Sequence, residues 1–230
     1  MEIRDITAYP LQDNLWNPWC IVTVETADGE RGVGEVGGLW ANTDIYAKVE
    51  YVDKYDEWFR GMDPLNIEAL RVKSQETPWG LSRLAQAVFS GVEMACWDIA
   101  GKHYGQPVHG MLGGAIRTEV PAYANGWYDG LETPAEWAEG ASEVIDRGYN
   151  ALKFDPYEES VRDITNEEMS LALDRVAAIR EAIGDGPEIL IEGHARLTPG
   201  EAIKLGSRLE EYNPTWFEAP IQAHQGPAAF

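Results

Sequence analysis

Along residues 2–36 apolar and polar side chains alternate, as they do in strands with one covered face. The runs EIRDITAYPL, WCIVTVET and RGVGEV carry the rhythm, and Ala27-Asp28-Gly29-Glu30 between the last two is a hairpin signal. The N-terminus therefore predicts a small antiparallel sheet. The period then lengthens. Residues 44–59 and 66–73 read as helices, interrupted by Gly61 and by Asp63-Pro64. A stronger helix follows, in which Leu84, Val88, Val92, Ala95 and Ile99 recur at spacings of three and four and Gly105 stands at the stop. A sheet followed by helices makes an α+β module.

After Gly113-Gly114 the rhythm changes again. TEVPAYANGW is expected as a strand, and residues 133–147 as a helix opened by Thr133-Pro134. Then come the strand NALKFD, a helix over 166–182, the strand EILIEGH, a helix from Thr198-Pro199 to Tyr212 and the strand TWFEAP. Strict alternation of strand and helix predicts an α/β fold with a parallel sheet or barrel. Each unit takes about 30 residues, which is the repeat of eight units sharing about 250 residues in a TIM barrel. A doubly wound sheet has the same rhythm, and periodicity leaves both open.

Composition narrows the partners. The chain has 230 residues, 39 acidic against 18 basic, for a formal charge of -21 with no acidic tail. Nucleic acid and anionic membranes are poor partners for such a surface. The same excess suits a cytosol of very high salt, as in a halophile, or simply keeps an ordinary acidic enzyme soluble. The opening residues form no secretory signal and no window reaches a membrane span, so a cytoplasmic protein is expected. Cys20 and Cys96 form no paired framework and read as reduced packing residues.

In a parallel barrel the working side chains lie at the C-terminal ends of the strands. Those ends carry Asn125, Lys153 with Asp155, Glu192 with His194, and Glu218. Glu192 and Glu218 end successive strands, and two neighbouring carboxylates suit a hard cation such as magnesium. An acidic strand end is equally often a solvated terminus or a helix-cap partner. Lys153 leaves an apolar strand and needs a carboxylate or a ligand anion; Asp155 is the expected partner, in a functional pair or a surface ion pair. His194 is expected on the same side of the strand as Glu192, as a metal ligand or as an acid/base beside the metal. His103 and His109 read as surface or packing residues, His224 has no clear context, and Gly32-Val33-Gly34 belongs to the hairpin, being too little for a nucleotide loop.

The segment GVEMACWDIAGKHYGQPVHGMLGG, residues 91–114, resembles the signature of the mandelate racemase and muconate lactonising branch of the enolase superfamily. VPAYANGWY, ALKFDPY, ILIEGHARL and WFEAP resemble that family's barrel strands in order, so the likeness extends to Ile221. It implies an N-terminal α+β capping domain over 1–117, then over 118–230 the first half of an enolase-type TIM-like barrel, strands one to four only. Racemases and cycloisomerases of the family carry Lys-x-Lys on the second barrel strand. Here the motif is Lys153-Phe154-Asp155, which is similar to the acid-sugar dehydratases acting on gluconate, galactonate or xylonate.

The resemblance implies Glu192 and Glu218 as the first two magnesium (Mg2+) ligands, Lys153 as a catalytic residue stabilising the enediolate, and His194 as the acid that helps the 3-hydroxyl leave. Many relatives have Asp at the first ligand position. Trp19, Asn125 and Asp155 are assigned to the substrate, a sugar acid, whose choice depends on the loop from Asn14 to Trp19. The family's third carboxylate ligand and histidine base belong to later strands. The expectation is therefore a C-terminally truncated chain, inactive alone, that forms a homo-oligomer or pairs with a complementing C-terminal fragment. A racemase or cycloisomerase, or a non-catalytic fragment, are the alternatives.

Overall fold

Three N-terminal strands, β1 (Ile3–Leu11), β2 (Trp19–Thr26) and β3 (Arg31–Glu35), form an antiparallel sheet in the order β1-β2-β3. The β2–β3 hairpin turns at Gly29, whose φ of 89° is open to a residue without a Cβ. The register pairs Ile6 with Val24 and Thr23 with Val33. This computed structural model describes residues 1–11, 19–37, 45–76, 78–157 and 162–222. Residues 14–18 of the expected specificity loop, and His224, lie outside the described residues. The chain divides into two units, Met1–Thr118 and Glu119–Phe230.

In the first unit the sheet is covered by α1 (Ile45–Phe59) and α3 (Arg83–Tyr104), and α2 (Ile67–Ser74) packs on α3. The Ser82 side chain accepts from the Ala85 N–H to open α3, and Gly105, at φ 63°, closes it. The core gathers Ile3, Ile6, Val22 and Val24 from the sheet with Tyr55, Phe59, Val88, Val92 and Ile99 from the helices. Cys20 and Cys96 are buried there as free thiols, as packing residues should be. His103 and His109 are exposed, and His109 lies in α4 (Val108–Met111), a single turn that the periodicity does not announce.

The second unit is built of α5 (Pro134–Asp146), β4 (Ala151–Phe154), α6 (Asn166–Ile183), β5 (Glu188–Glu192), α7 (Pro199–Leu209) and β6 (Trp216–Glu218). The strands are parallel in the order β4-β5-β6. Thr133 and Thr165 each form a capping box with the glutamate three residues on, and Thr198 caps α7 before Pro199. α7 ends at Leu209 and the last turn to Tyr212 tightens to a 3-10 helix.

The strands alternate strictly. Leu152, Phe154, Ile189 and Ile191 pack against Met169, Val176, Ile179 and Leu205 of the helices, each buried aliphatic side chain contributing roughly 1.5–3 kcal/mol. Lys153, Leu190, Glu192, Trp216 and Glu218 therefore share the opposite face. The expected strand over TEVPAYANGW is not one. Only Ala124 pairs, with Leu152, its N–H donating to Ala151 and its carbonyl accepting from Lys153. Pro121 has no N–H to extend the ladder, and Val120 is 82% exposed with no cover.

Candidate active site at the strand ends

In register, Glu192 of β5 stands beside Glu218 of β6. The ammonium of Lys153, from β4, ion-pairs with Glu192 and lies 3.4 Å from Glu218 Oε2. Lys153 is 8% exposed and Glu192 5%, whereas the Glu218 side chain keeps 40% of its surface. The Glu192 carboxylate also accepts from the Gly193 N–H at 3.1 Å and the His194 N–H at 2.9 Å. Burial by itself would push Glu192 up; the Lys153 and His194 donors outweigh it and hold the carboxyl below its ordinary value. Burial likewise opposes the charge on Lys153, and Glu192 with Glu218 overcomes it, so its pKa is raised. Trp216 Nε1 donates to Glu218 at 3.2 Å, and Tyr123 meets the Trp216 ring edge-on at 6.1 Å.

Two expectations are corrected here. Asp155 is not the partner of Lys153. It follows the end of β4, 5% exposed, and its Oδ2 lies 2.8 Å from His194 Nδ1 and against the Arg196 guanidinium. Nor does His194 continue β5. The strand ends at Glu192, and His194 and Ala195 take left-handed backbone, φ 46° and 55°. That turn carries the imidazole to Asp155 rather than leaving it beside Glu192.

The turn is held by the neighbouring chain segment, with Gly193 N–H donating to Glu218 O at 2.7 Å and Ala195 N–H to Ala219 O at 2.6 Å. A Cβ on Gly193 would meet Pro220 Cα at 2.4 Å, so only glycine permits the approach. Arg196 was not singled out from the sequence. Its position, two residues past a histidine outside any strand, gives no periodic signal. The structure stacks its guanidinium 5.3 Å from the Tyr157 ring centroid. Of the expected substrate residues, Asn125 is exposed one residue beyond the Ala124 pairing, and Trp19, 48% exposed, opens β2 in the first unit.

Residues 15–113 match the sequence model of the mandelate racemase / muconate lactonizing enzyme N-terminal domain, and residues 136–230 match that of the enolase C-terminal domain-like family. The chain belongs to the enolase superfamily. Among curated relatives of this superfamily chain, the D-gluconate dehydratase of Thermoproteus tenax is 38% identical over 96% of the chain and 44% of its own length. The D-gluconate/D-galactonate dehydratase of Picrophilus torridus is 35% identical over 89% of the chain and 53% of its own length. A crystal structure of an enolase-superfamily member from Salmonella Typhimurium superposes with a TM-score of 0.89 at 30% identity, covering 99% of this chain and 63% of that one. The chain thus spans about half the length of the curated relatives it matches.

The architecture is accordingly the superfamily's N-terminal capping domain followed by part of its barrel domain. Among the described residues no helix is long and apolar enough to cross a membrane.

Proposed function

We propose that this chain carries the ligand-bearing rim of a magnesium-dependent sugar-acid dehydratase, converting an aldonate such as gluconate, galactonate or xylonate to a 2-keto-3-deoxy acid. The observation that carries the reading is the pairing of Glu192 with Glu218 at adjacent strand ends, with the Lys153 ammonium reaching both. The names of the relatives supply the substrate class.

The donor set suits magnesium, which is commonly held by one or two carboxylates with water or substrate oxygens completing its shell. Among the described residues no group of three or more His, Cys, Asp or Glu gathers to hold a metal ion, so the paired Glu192 and Glu218 would need further oxygen donors to complete its shell. Glu192 and Glu218 would hold the magnesium ion, which would supply positive charge beside the substrate carboxylate as the α-proton passes to the histidine base that the resemblance assigns to a later strand. Lys153, already held in place by β4 on the inward face, donates to the same developing negative charge. His194 gives its proton to the departing 3-hydroxyl, so the C–O bond breaks with release of water, and the enol left behind tautomerises to the keto acid. Asp155 in place of a second lysine leaves the strand end without the base that racemases and cycloisomerases of the resemblance would use.

Isothermal titration of the chain with MgCl2 tests the ligand assignment. Saturable binding that Glu192→Gln and Glu218→Gln each weaken at least tenfold supports it; unchanged binding in both variants overturns it. Incubation of the chain together with a complementing C-terminal fragment and gluconate, galactonate or xylonate, followed for keto-acid release against loss of optical activity, separates dehydration from racemisation.

A further inference from the structure

We propose that Asp155 and Arg196 are positioning residues that hold a proton on Nδ1 of the His194 imidazole and so turn Nε2 to the substrate, where a second proton, on Nε2, makes the ring the acid. The inference deepens the dehydratase reading and rests on it for the role of Nε2; the placement of the proton on Nδ1 stands independently.

Three neighbours fill the Asp155 carboxylate. Its Oδ1 accepts from the Tyr157 N–H at 3.3 Å, and its Oδ2 faces His194 Nδ1 at 2.8 Å and the Arg196 guanidinium. The amide and the guanidinium can only donate. A carboxyl proton would have no acceptor except the imidazole itself, and Oδ2 already receives the arginine's charge-assisted bond. The remaining consistent arrangement has a carboxylate accepting from all three, which places the imidazole proton on Nδ1. Asp155 is thereby a group that acts through His194, and its 5% exposure with each oxygen engaged removes it from the substrate-binding role its sequence position suggested.

Arg196 is fixed in its turn by two elements besides Asp155. Its guanidinium lies on the Tyr157 ring, two residues along from Asp155, and its backbone is tied into the rim, accepting from Arg162 N–H at 2.6 Å and donating to Gly193 O at 3.1 Å. The left-handed turn at His194 and Ala195 has a structural cost that only over-determined surroundings sustain. What that cost achieves is the 39-residue reach between Asp155 and His194. Lys153 is engaged separately, with Glu192 and Glu218, so the two cationic sets do not compete for one carboxylate.

The test is the imidazole nitrogen spectrum of the 15N-labelled full chain, recorded as pH is raised until the signals no longer move. His194→Gln assigns the signals. In the unsubstituted chain His194 is expected with a pyrrole-type Nδ1 and a pyridine-type Nε2. Asp155→Ala should exchange the two toward the Nε2-protonated form, and Arg196→Met should lessen the Nδ1 preference while Arg196→Lys, which keeps the charge, retains more of it. A pyridine-type Nδ1 in the unsubstituted chain overturns the proposal without need of any variant, as does an unchanged spectrum in a folded Asp155→Ala chain. Should His194→Gln leave keto-acid formation intact when the complementing C-terminal fragment is supplied, the dehydratase role of His194 fails while the spectral result still decides the positioning.

Discussion

The backbone of Gly34 in β3 lies directly against the carbonyl of Gly91 in α3: a Cβ built on Gly34 would meet that oxygen at 2.0 Å. Gly32 makes the same approach one strand repeat earlier, where a Cβ would lie 1.9 Å from the Ala95 carbonyl. The seam lets sheet and helix touch backbone to backbone. Gly34→Ala must force them apart and is expected to cost about 3 kcal/mol, read as a lower urea midpoint for the first unit. Gly37→Ala, with nothing within 4 Å of its Cβ, should change the midpoint little.

At the rim, Lys153→Met would leave Glu192 buried without its cation. Breaking a buried pair from one side costs about 3 kcal/mol or more, and equilibrium unfolding of the second unit should show it. Lys153→Met combined with Glu192→Gln should lose less than the sum of the two single changes. Strict additivity would mean that the pair is not coupled.

The capping box of α5 gives a pH-dependent prediction. Bonds from the Thr133 and Glu132 N–H groups hold the Glu136 carboxyl below its ordinary value. A lowered folded value means that this stabilisation is fully present above the unfolded pKa and is lost as pH falls through the folded one. Thr133→Ala should cost about 1 kcal/mol at neutral pH. Thermal melts should show Glu136→Gln destabilising at neutral pH and becoming silent in acid.

Burial pushes the Cys96 thiol up to about 12 and raises Cys20 as well. Neither should react with a thiol reagent in the folded chain at mildly alkaline pH, and both should react once denaturant is added. Fast native labelling of Cys96 would mean that α3 opens far more often than its packing implies.

The elements were legible wherever one face is buried. β2 and α3 follow their apolar periods because each turns a buried face to the core, and β5, buried on both faces from Ile189 to Glu192, shows as a short unbroken apolar run. TEVPAYANGW failed because its strand propensity had only one neighbour to pair with, and pairing is a property of the sheet rather than of the segment. Lys153, Glu192 and Glu218 could be brought together from the sequence because each stands at the C-terminal end of a strand. His194 and Arg196 could not, since the turn that aims them depends on bonds to Ala219 and Glu218, residues more than twenty positions away. Gly32 and Gly34 were legible as hairpin residues and not as a packing seam, because nothing local records what approaches them.

Gly193 has a consequence for how this rim can change over time. The contact between its α-carbon and Pro220 fixes the spacing of the two backbones from which Glu192 and Glu218 depart. Where each carboxylate starts is thus decided by the main chain, and how far it extends by side-chain length. Exchange of Glu for the shorter Asp at either position would alter reach without moving its origin, so descent can retune one while the other stays anchored.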